Sequence, residues 1–372
     1  MTETNRKQLI FDTFDNKETE RVPVGFWFHF VFGDAQFRGL EDRSILDRVI
    51  AGHKEFYDAF KPDFVKIMSD GFFGHPSLLE KRIEIADDLY NVQAVGPNHP
   101  WITEQVKTVK RIKESFNGEV ATFYNIFSPA NYIRIAFEAW DKDPEKFTRF
   151  FETEPEALAY AANEIAKDIA VLTQRVIEEA GTDGIYLSVQ NVQSSTATKE
   201  AYQNYIAPSE LAVLAEANKV SDYNILHICG YEHHQNDLSY YRDYEAKAYN
   251  WAVHTEKISL KEGKDFFGNK AVIGGFDNNT GTLLDSGNKA DIARFTVDII
   301  HEIGDTGVII GADCTVDPQI GLDRLELVRQ TAAGVSGKNN KQTNDVAAKI
   351  KQDGRSGVRQ RRSTLIDNRY YF

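Results

Sequence analysis

The chain has 372 residues, a formal net charge of −13 and 42 % apolar residues, so it can bury a sizeable core but carries no excess of basic charge. Nucleic-acid binding needs a basic stripe, which the first 335 residues lack, and an acidic chain has no bulk attraction to anionic membranes. No apolar run approaches the roughly 18 residues of a membrane span, and residues 1–16 hold no signal-peptide core. Two cysteines form no disulfide framework. We therefore expect a cytoplasmic globular protein.

Short apolar runs alternate with longer helical patterns, in the order that is typical of a parallel sheet. A helix follows each run, so the pattern predicts the α/β class and a single-domain (β/α)8 TIM barrel over residues 1–336. A doubly wound sheet is the alternative, but no G-x-G-x-x-G loop follows the first strand. Eight runs are predicted as strands: Pro23–Phe30, Phe64–Met68, Val120–Ile126, Gly184–Val189, Asn224–Cys229, Ala248–Val253, Ala271–Gly275 and Gly307–Ala312.

Between the strands, apolar residues recur at helical spacing. The clearest stripe ends at Ile303 and is followed by Gly304, a residue typical of a helix end. Long helices are also predicted over Glu154–Ala180 and Leu322–Ala333. The turn-rich segment Gly71–Glu104, after strand two, is predicted to be a lid-like insertion over the barrel mouth.

The last segment of the chain differs from the rest in composition. In residues 337–372, lysine and arginine outnumber acidic residues nine to three. We expect a basic, loosely ordered C-terminal tail and assign it no chemistry.

Reactive groups of such barrels lie at the carboxyl ends of the strands, where the βα loops form one open mouth. Nearly every predicted strand ends in a polar group, which favours a functional mouth, although strands often end in polar loop residues for no functional reason. These groups are His29, Ser69-Asp70, Tyr124-Asn125, Gln190-Asn191, His227 with Cys229, His254-Thr255-Glu256, Asp277-Asn278 and Asp313-Cys314.

A metal site is indicated by three of these residues. His227 and Cys229 are two apart on one strand, so both side chains point to the same face, and Cys314 ends strand eight. One imidazole and two thiolates suit tetrahedral zinc with an exchangeable fourth position. The alternative is that both cysteines are small buried hydrophobes and His227 is a core imidazole.

Several stretches together carry a resemblance to a known family. They are Arg21-Val22-Pro23-Val24, Pro62-Asp63-Phe64-Val65-Lys66 leading to Asp70, His227-Ile228-Cys229-Gly230, Thr255-Glu256-Lys257-Ile258, Ala271–Gly275 and Gly311-Ala312-Asp313-Cys314. In this order they resemble the uroporphyrinogen decarboxylase superfamily, and within it the zinc-dependent branch of methylcobamide:coenzyme M type. The likeness runs from about residue 5 to 335.

The resemblance implies a (β/α)8 barrel and a zinc-dependent methyltransferase that moves a methyl group from a corrinoid, held on a partner protein, to a small thiol. It also implies that His227, Cys229 and Cys314 are the Zn²⁺ ligands. Glu256 matches a carboxylate that completes the tetrahedron when no substrate is bound.

The chain departs from the true decarboxylases after strand one. Where they carry an Arg-Gln-Ala-Gly-Arg-type loop for a polyanionic porphyrinogen, Phe26–Gly33 is aromatic, and no arginine follows until Arg38. This disfavours decarboxylation. A metal-free lyase of the decarboxylase type and a non-catalytic barrel that binds a corrinoid or tetrapyrrole are kept as alternatives.

Four further residues are predicted to act at the mouth. Asp70 is predicted to orient substrate or accept a proton, and its alternative is a turn former before Gly71. The aromatic first loop suggests that Phe28 and His29, with Asn125, contact the corrinoid donor.

Overall fold

The structure is a computed structural model and describes residues 5–81, 83–194, 196–231 and 234–335. Its centre is one sheet of eight parallel strands, hydrogen-bonded in the order β1-β8-β7-β6-β5-β4-β3-β2. Each strand coincides with a predicted one, which confirms the (β/α)8 barrel. The strands are β1 (Val24–Gly25), β2 (Phe64–Ile67), β3 (Ala121–Phe127), β4 (Gly184–Val189), β5 (Ile225–Ile228), β6 (Ala248–Trp251), β7 (Ala271–Phe276) and β8 (Val308–Ala312).

Helices alternate with the strands and surround them. Those before β4 are α1 (Arg6–Phe14), α2 (Arg43–Phe60), α3 (Pro76–Leu79), α4 (Pro100–Glu114), α5 (Pro129–Ile135), α6 (Lys146–Thr153) and α7 (Pro155–Glu178). After β4 come α8 (Lys199–Tyr205), α9 (Ala207–Asn218), α10 (Val253–Glu256), α11 (Leu260–Phe266), α12 (Leu283–Ser286), α13 (Lys289–Ile303) and α14 (Leu322–Val335). None of these helices is long and apolar enough to cross a bilayer.

The three helices predicted most strongly are α7, α13 and α14, and all three are present. Helix α13 begins where the Asn288 side chain accepts a hydrogen bond from the backbone N–H of Asp291, at 2.9 Å. It ends at Gly304, whose φ of 92° lies in the region that favours glycine. The predicted tail, residues 337–372, lies outside the described residues.

The seam between β1 and β2 is closed by the carboxylate of Asp63. It accepts two hydrogen bonds from Arg21, at 2.7 and 2.5 Å, and one from the backbone N–H of Val24, at 2.8 Å. In return, the N–H of Asp63 donates to the carbonyl of Val24 at 3.2 Å. The Arg-Val-Pro-Val and Pro-Asp-Phe-Val stretches of the sequence are therefore the two sides of this seam.

The first strand is shorter than predicted. The prediction was Pro23–Phe30, but only Val24–Gly25 is paired in the ladder. At Gly25 a Cβ would lie 2.1 Å from the ring of Phe64, so this ring fills the space between the two strands. The chain beyond Gly25 is held instead by the N–H of Val316, which donates to the carbonyl of Trp27 at 3.0 Å.

Helix α1 closes the amino-terminal end of the barrel. Ile10 and Phe14 are 0 % and 2 % exposed and pack with inward-facing side chains of the strands. The ring of Phe14 lies 5.7 Å from that of Phe123 on β3. This end of the barrel is filled by apolar side chains, so polar groups can gather only at the opposite end.

The predicted lid is an insertion after β2 that packs beside helix α7. Asp168 of α7 accepts hydrogen bonds from the backbone of Val95 and Gly96, at 2.6 and 2.9 Å. The buried imidazole of His75 lies 3.0 Å from the same carboxylate. At the start of the insertion, the ring of Phe73 lies 5.5 Å from His29 at the mouth.

We predict that Asp63→Ala destabilises the protein by about 3–5 kcal/mol, because it leaves the half-buried guanidinium of Arg21 without its partner. Equilibrium denaturation with urea, followed by circular dichroism, measures this change. The control is Asp58→Ala, which removes an exposed partner of Lys54 on α2 and should change the midpoint little. Equal midpoints for the two variants would contradict the role of the seam.

Candidate metal centre

Three side chains that could bind a metal converge at the carboxyl end of the barrel. His227 lies on β5, Cys229 directly follows that strand, and Cys314 lies two residues beyond β8. Their potential ligand atoms all lie within 4.8 Å of one another. This cluster contains each of the three predicted metal ligands.

The distances in the cluster match those of tetrahedral zinc. Zinc bonds of about 2.3 Å to sulfur and 2.0–2.1 Å to nitrogen give about 3.8 Å between two sulfurs and about 3.6 Å between sulfur and nitrogen. The two Sγ atoms are 4.0 Å apart, and Cys314 Sγ lies 3.5 Å from His227 Nε2. These two spacings lie within about 0.2 Å of the values for tetrahedral zinc, so the donor set suits this ion.

Asn250, on β6, fixes which nitrogen of His227 is available. Its amide donates hydrogen bonds to the carbonyls of Ile273, at 2.8 Å, and Ala312, at 3.3 Å. Its oxygen must then face His227 Nδ1, 2.5 Å away, which makes Nδ1 the protonated nitrogen. The lone pair of Nε2 is left for a metal, as in most histidine ligands whose other nitrogen is held.

The two thiols share one hydrogen bond, and their pKa values are shifted in opposite directions. This contact raises the pKa of Cys229 and lowers the pKa of Cys314. Burial adds to the rise for Cys229, whereas His227 and Lys66 add to the fall for Cys314. A divalent cation would take the place of the shared proton, because metal binding requires both thiols to be deprotonated.

Lys66, on β2, points into the barrel and is 4 % exposed. Its Nζ lies 4.2 Å from the ring centroid of Tyr186 and 5.2 Å from that of Trp27. Burial lowers the pKa of Lys66 to about 8, against the opposite effect of Cys314, Cys229 and Asp70. Lys66 was not among the predicted site residues, although its place between Phe64 and Met68 marks it as inward-facing.

Glu256 lies outside the cluster, at the end of helix α10, which follows β6. Its two oxygens accept hydrogen bonds from the backbone N–H of Asn236, at 2.6 Å, and from its amide, at 2.7 Å. The same amide donates to the carbonyl of Cys229 at 3.0 Å. Asn236 therefore joins the Glu256 carboxylate to the Cys229 backbone, and ligation of a metal by Glu256 stays a prediction.

Glu256 also faces a polar cleft between the loops that follow β4, β5 and β6. Burial raises the pKa of Glu256 to about 7, although the hydrogen bonds from Asn236 oppose the shift. The cleft has a volume of about 650 Å³ and is lined by Asn191, Val192, Gln193, Ser194, Ala197, Gln235, Asn236, Asp237, Leu238, Tyr240, Glu256 and Ile258. Asn236, whose amide donates to the Cys229 carbonyl, is part of this lining.

A histidine–aspartate pair stands at the ends of β1 and β2. Asp70 Oδ1 lies 2.7 Å from His29 Nδ1, and Asp70 Oδ2 accepts a hydrogen bond from the backbone N–H of Phe30, at 2.7 Å. The Asp70 carboxylate is fully buried, whereas the His29 side chain is 22 % exposed. The pairing orients the imidazole and leaves Nε2 for a ligand, so two predicted site residues form one unit.

The two other residues predicted to contact a cofactor differ in position. Asn125 faces the barrel interior and donates a hydrogen bond to Ser69 Oγ at 2.9 Å. Phe28 does not face the mouth: it packs outward against Phe56 of α2, with ring centroids 5.2 Å apart. Side chains alternate along the chain after β1, so Phe28 and His29 point to opposite sides and only His29 reaches the opening.

Asp313, next to Cys314, links the end of β8 to helix α10 and strand β7. Its carboxylate accepts hydrogen bonds from the backbone N–H groups of His254, at 3.1 Å, and Gly275, at 3.4 Å. Burial raises the pKa of Asp313 well above its usual range. The φ of Gly275, 114°, requires glycine there. His254, one of the polar groups predicted at the strand ends, donates a hydrogen bond to the carbonyl of Gly275 at 3.1 Å.

Comparisons with known proteins agree with this barrel. The sequence model of a family described as uroporphyrinogen decarboxylase (URO-D) matches residues 74–334. No curated protein matches the chain in sequence. Two solved structures are similar to it, although at these low identities the likeness shows the fold alone.

The first is a methyltransferase from Methanosarcina mazei, with a TM-score of 0.64 and 14 % identity over 89 % of this chain and 98 % of that chain. The second is a B12-independent methionine synthase from Shewanella sp. W3-18-1 in complex with selenomethionine. Its TM-score is 0.52, with 13 % identity over 89 % of this chain and 98 % of that chain.

We predict that Asn250→Ala weakens zinc binding about 10–100-fold, because His227 loses the partner that fixes its tautomer and ring orientation. Competition with a chromophoric chelator measures the affinity. Asn125→Ala, which removes another buried asparagine of the barrel interior, should leave zinc affinity unchanged. A folded Asn250→Ala variant with the affinity of the parent chain would refute this role.

Proposed function

The chain belongs to the uroporphyrinogen decarboxylase family, and from this premise we propose that it is a zinc-dependent methyltransferase with a small thiol as acceptor. The observation that carries the proposal is the cluster of His227, Cys229 and Cys314 at the open end of the barrel, with spacings suited to tetrahedral zinc. Support also comes from two proteins of the same fold, whose names are those of a methyltransferase and a methionine synthase.

Zinc held by these residues would supply Lewis acidity that lowers the pKa of an incoming thiol. A thiol with a pKa near 8.5 is about 3 % ionised at pH 7, so complete ionisation is worth roughly 2 kcal/mol. Enzymes lower activation barriers by about 8–23 kcal/mol, so ionisation of the thiol alone cannot account for catalysis. The larger share must come from holding the sulfur against the methyl donor, which can supply roughly 7–11 kcal/mol.

The transfer itself is a displacement at carbon. A lone pair of the thiolate sulfur forms the new bond to the methyl group, while the bond between methyl and donor breaks and its electron pair stays on the donor. The thiol proton leaves to solvent or to a base at the mouth. We assign to His29, whose Nε2 is left for a ligand while Asp70 holds the ring, the relay of this proton from the thiol to the solvent.

The methyl donor in this proposal is a corrinoid on a partner protein that docks over the mouth. Aromatic side chains around His29 favour a flat, apolar ligand there: the rings of Phe73 and Phe32 lie 5.5 and 6.4 Å from its imidazole. Phe32 is 37 % exposed, so it is available to a docked group. A decarboxylase acting on a polyanion would instead need cationic side chains in this loop.

We predict that the purified chain contains about one zinc ion, that it moves the methyl group of methylcobalamin to a thiol, and that Cys314→Ser and His227→Ala lose both properties. Metal analysis and the appearance of the methylated thiol measure them. The control is His301→Ala, which removes an exposed histidine of α13 and should retain both zinc and activity.

Two results would contradict this function. A folded protein without zinc that transfers methyl groups at the parent rate would remove the metal from the reaction. Conversion of a porphyrinogen that persists in Cys314→Ser would favour the metal-free lyase.

We predict that Asp70→Asn lowers kcat by about 100-fold with zinc content unchanged, because His29 loses the carboxylate that positions its ring. Steady-state kinetics with methylcobalamin and thiol, measured across pH, test this. Asp34→Asn, in the exposed turn that follows the first loop, is the matched control and should behave like the parent chain. Loss of zinc together with activity would indicate a structural role for Asp70 instead.

A further inference from the structure

We propose that Lys66 is the counter-charge for the acceptor: its buried ammonium compensates the negative charge that a thiolate brings to the metal centre. The inference rests on the proposed function and adds a residue that selects an ionised sulfur over a neutral ligand. It concerns an interior lysine that takes no part in binding the metal.

The register of the sheet directs Lys66 inward. It pairs with Phe123 of β3, which belongs to the same interior cluster as Phe64 and Tyr186. A lysine enclosed in this way must find a compensating environment, because a buried and unpaired charge is costly. Among the described residues, its ammonium lies over the faces of two aromatic rings rather than against a carboxylate, at 4.2 Å for Tyr186 and 5.2 Å for Trp27.

The position of this charge is tied to the metal ligands. Tyr186, whose ring carries the ammonium, donates a hydrogen bond from its hydroxyl to Asn250 Oδ1 at 2.9 Å. The same oxygen accepts from His227 Nδ1. One amide therefore fixes both the metal-binding imidazole and the ring against which Lys66 lies.

The charges of the site explain why a cation is useful there. A divalent ion with two thiolates and a neutral imidazole has no net charge, so the ligands do not neutralise Lys66. A third sulfur arriving as thiolate adds one negative charge in a buried space, and Lys66 adds one positive charge that offsets it.

A neutral ligand would gain nothing from this arrangement. A thioether or an alcohol at the same position leaves the ammonium uncompensated. Lys66 therefore favours thiols that lose their proton on binding, and thiol binding at neutral pH should release a proton to the solvent.

The experiment compares zinc-loaded parent chain with Lys66→Met, which keeps the length of the side chain, and Lys66→Arg, which keeps the charge. Calorimetry in two buffers of different ionisation enthalpy measures affinity and proton release for 2-mercaptoethanol at pH 7. We expect Lys66→Met to bind the thiol about 10–50-fold more weakly and to release fewer protons, and Lys66→Arg to retain most of both. Zinc content should be equal in all three.

The neutral probe 2-(methylthio)ethanol separates charge from shape, because its binding should not change in Lys66→Met. Unchanged thiol affinity and proton release in Lys66→Met would overturn the inference and leave the proposed function intact, as would equal weakening of both probes. A parent chain that holds no zinc, or binds no thiol, would overturn the proposed function and this inference with it. Thermal unfolding checks that the variants are folded, and removal of a buried charge by methionine is expected to be tolerated.

Discussion

Every second side chain of a closed parallel barrel must enter one narrow space that all the strands share. The composition of that space decides what the protein can do. At the lower end it is filled by apolar groups such as Phe64 and Phe123, beneath which helix α1 packs. At the upper end, inward positions hold Lys66, His227 and Asn250. The chemistry is thus confined to one end because the interior of the other end is already occupied.

Within the upper layer, a single amide organises most of the polar contacts. The amide of Asn250 donates hydrogen bonds to carbonyls of β7 and of the end of β8, so its oxygen has a fixed direction. That oxygen then serves both the imidazole of His227 and the hydroxyl of Tyr186. The orientation of the site is therefore fixed by backbone groups, which move little in a barrel. A precise arrangement of side chains follows from the rigidity of the sheet.

Much of this arrangement could be predicted from the sequence. Alternation on strand five placed His227 and Cys229 on one face, and the barrel topology brought Cys314 to them. The same alternation identifies Lys66 and Asn250 as inward-facing polar residues, but their partners lie on other strands and were not evident. Phe28 was mispredicted because it and His29 were both assigned to the mouth, although adjacent residues of an extended chain face opposite sides.

Other features depend on contacts between distant parts of the chain. The turn-rich insertion after β2 gave no sign that Asp168, on α7, would hold its backbone. Glu256 matched a ligand position by resemblance. That Asn236, from another loop, would donate a hydrogen bond to each of its oxygens was not evident from the sequence. Sequence patterns describe which face a residue occupies, whereas the partner that reaches it is set by the folded loops.

The helix that plugs the lower end has a consequence for the order of events. Because Ile10 and Phe14 fill that end, the acceptor and the donor must both reach the site through the mouth of the barrel. A small thiol that has to reach the buried metal ligands must enter before a bulky carrier covers the mouth, and the methylated product must wait until the carrier departs. In the proposed reaction, therefore, the fold requires the thiol to bind before the carrier and the product to leave after it.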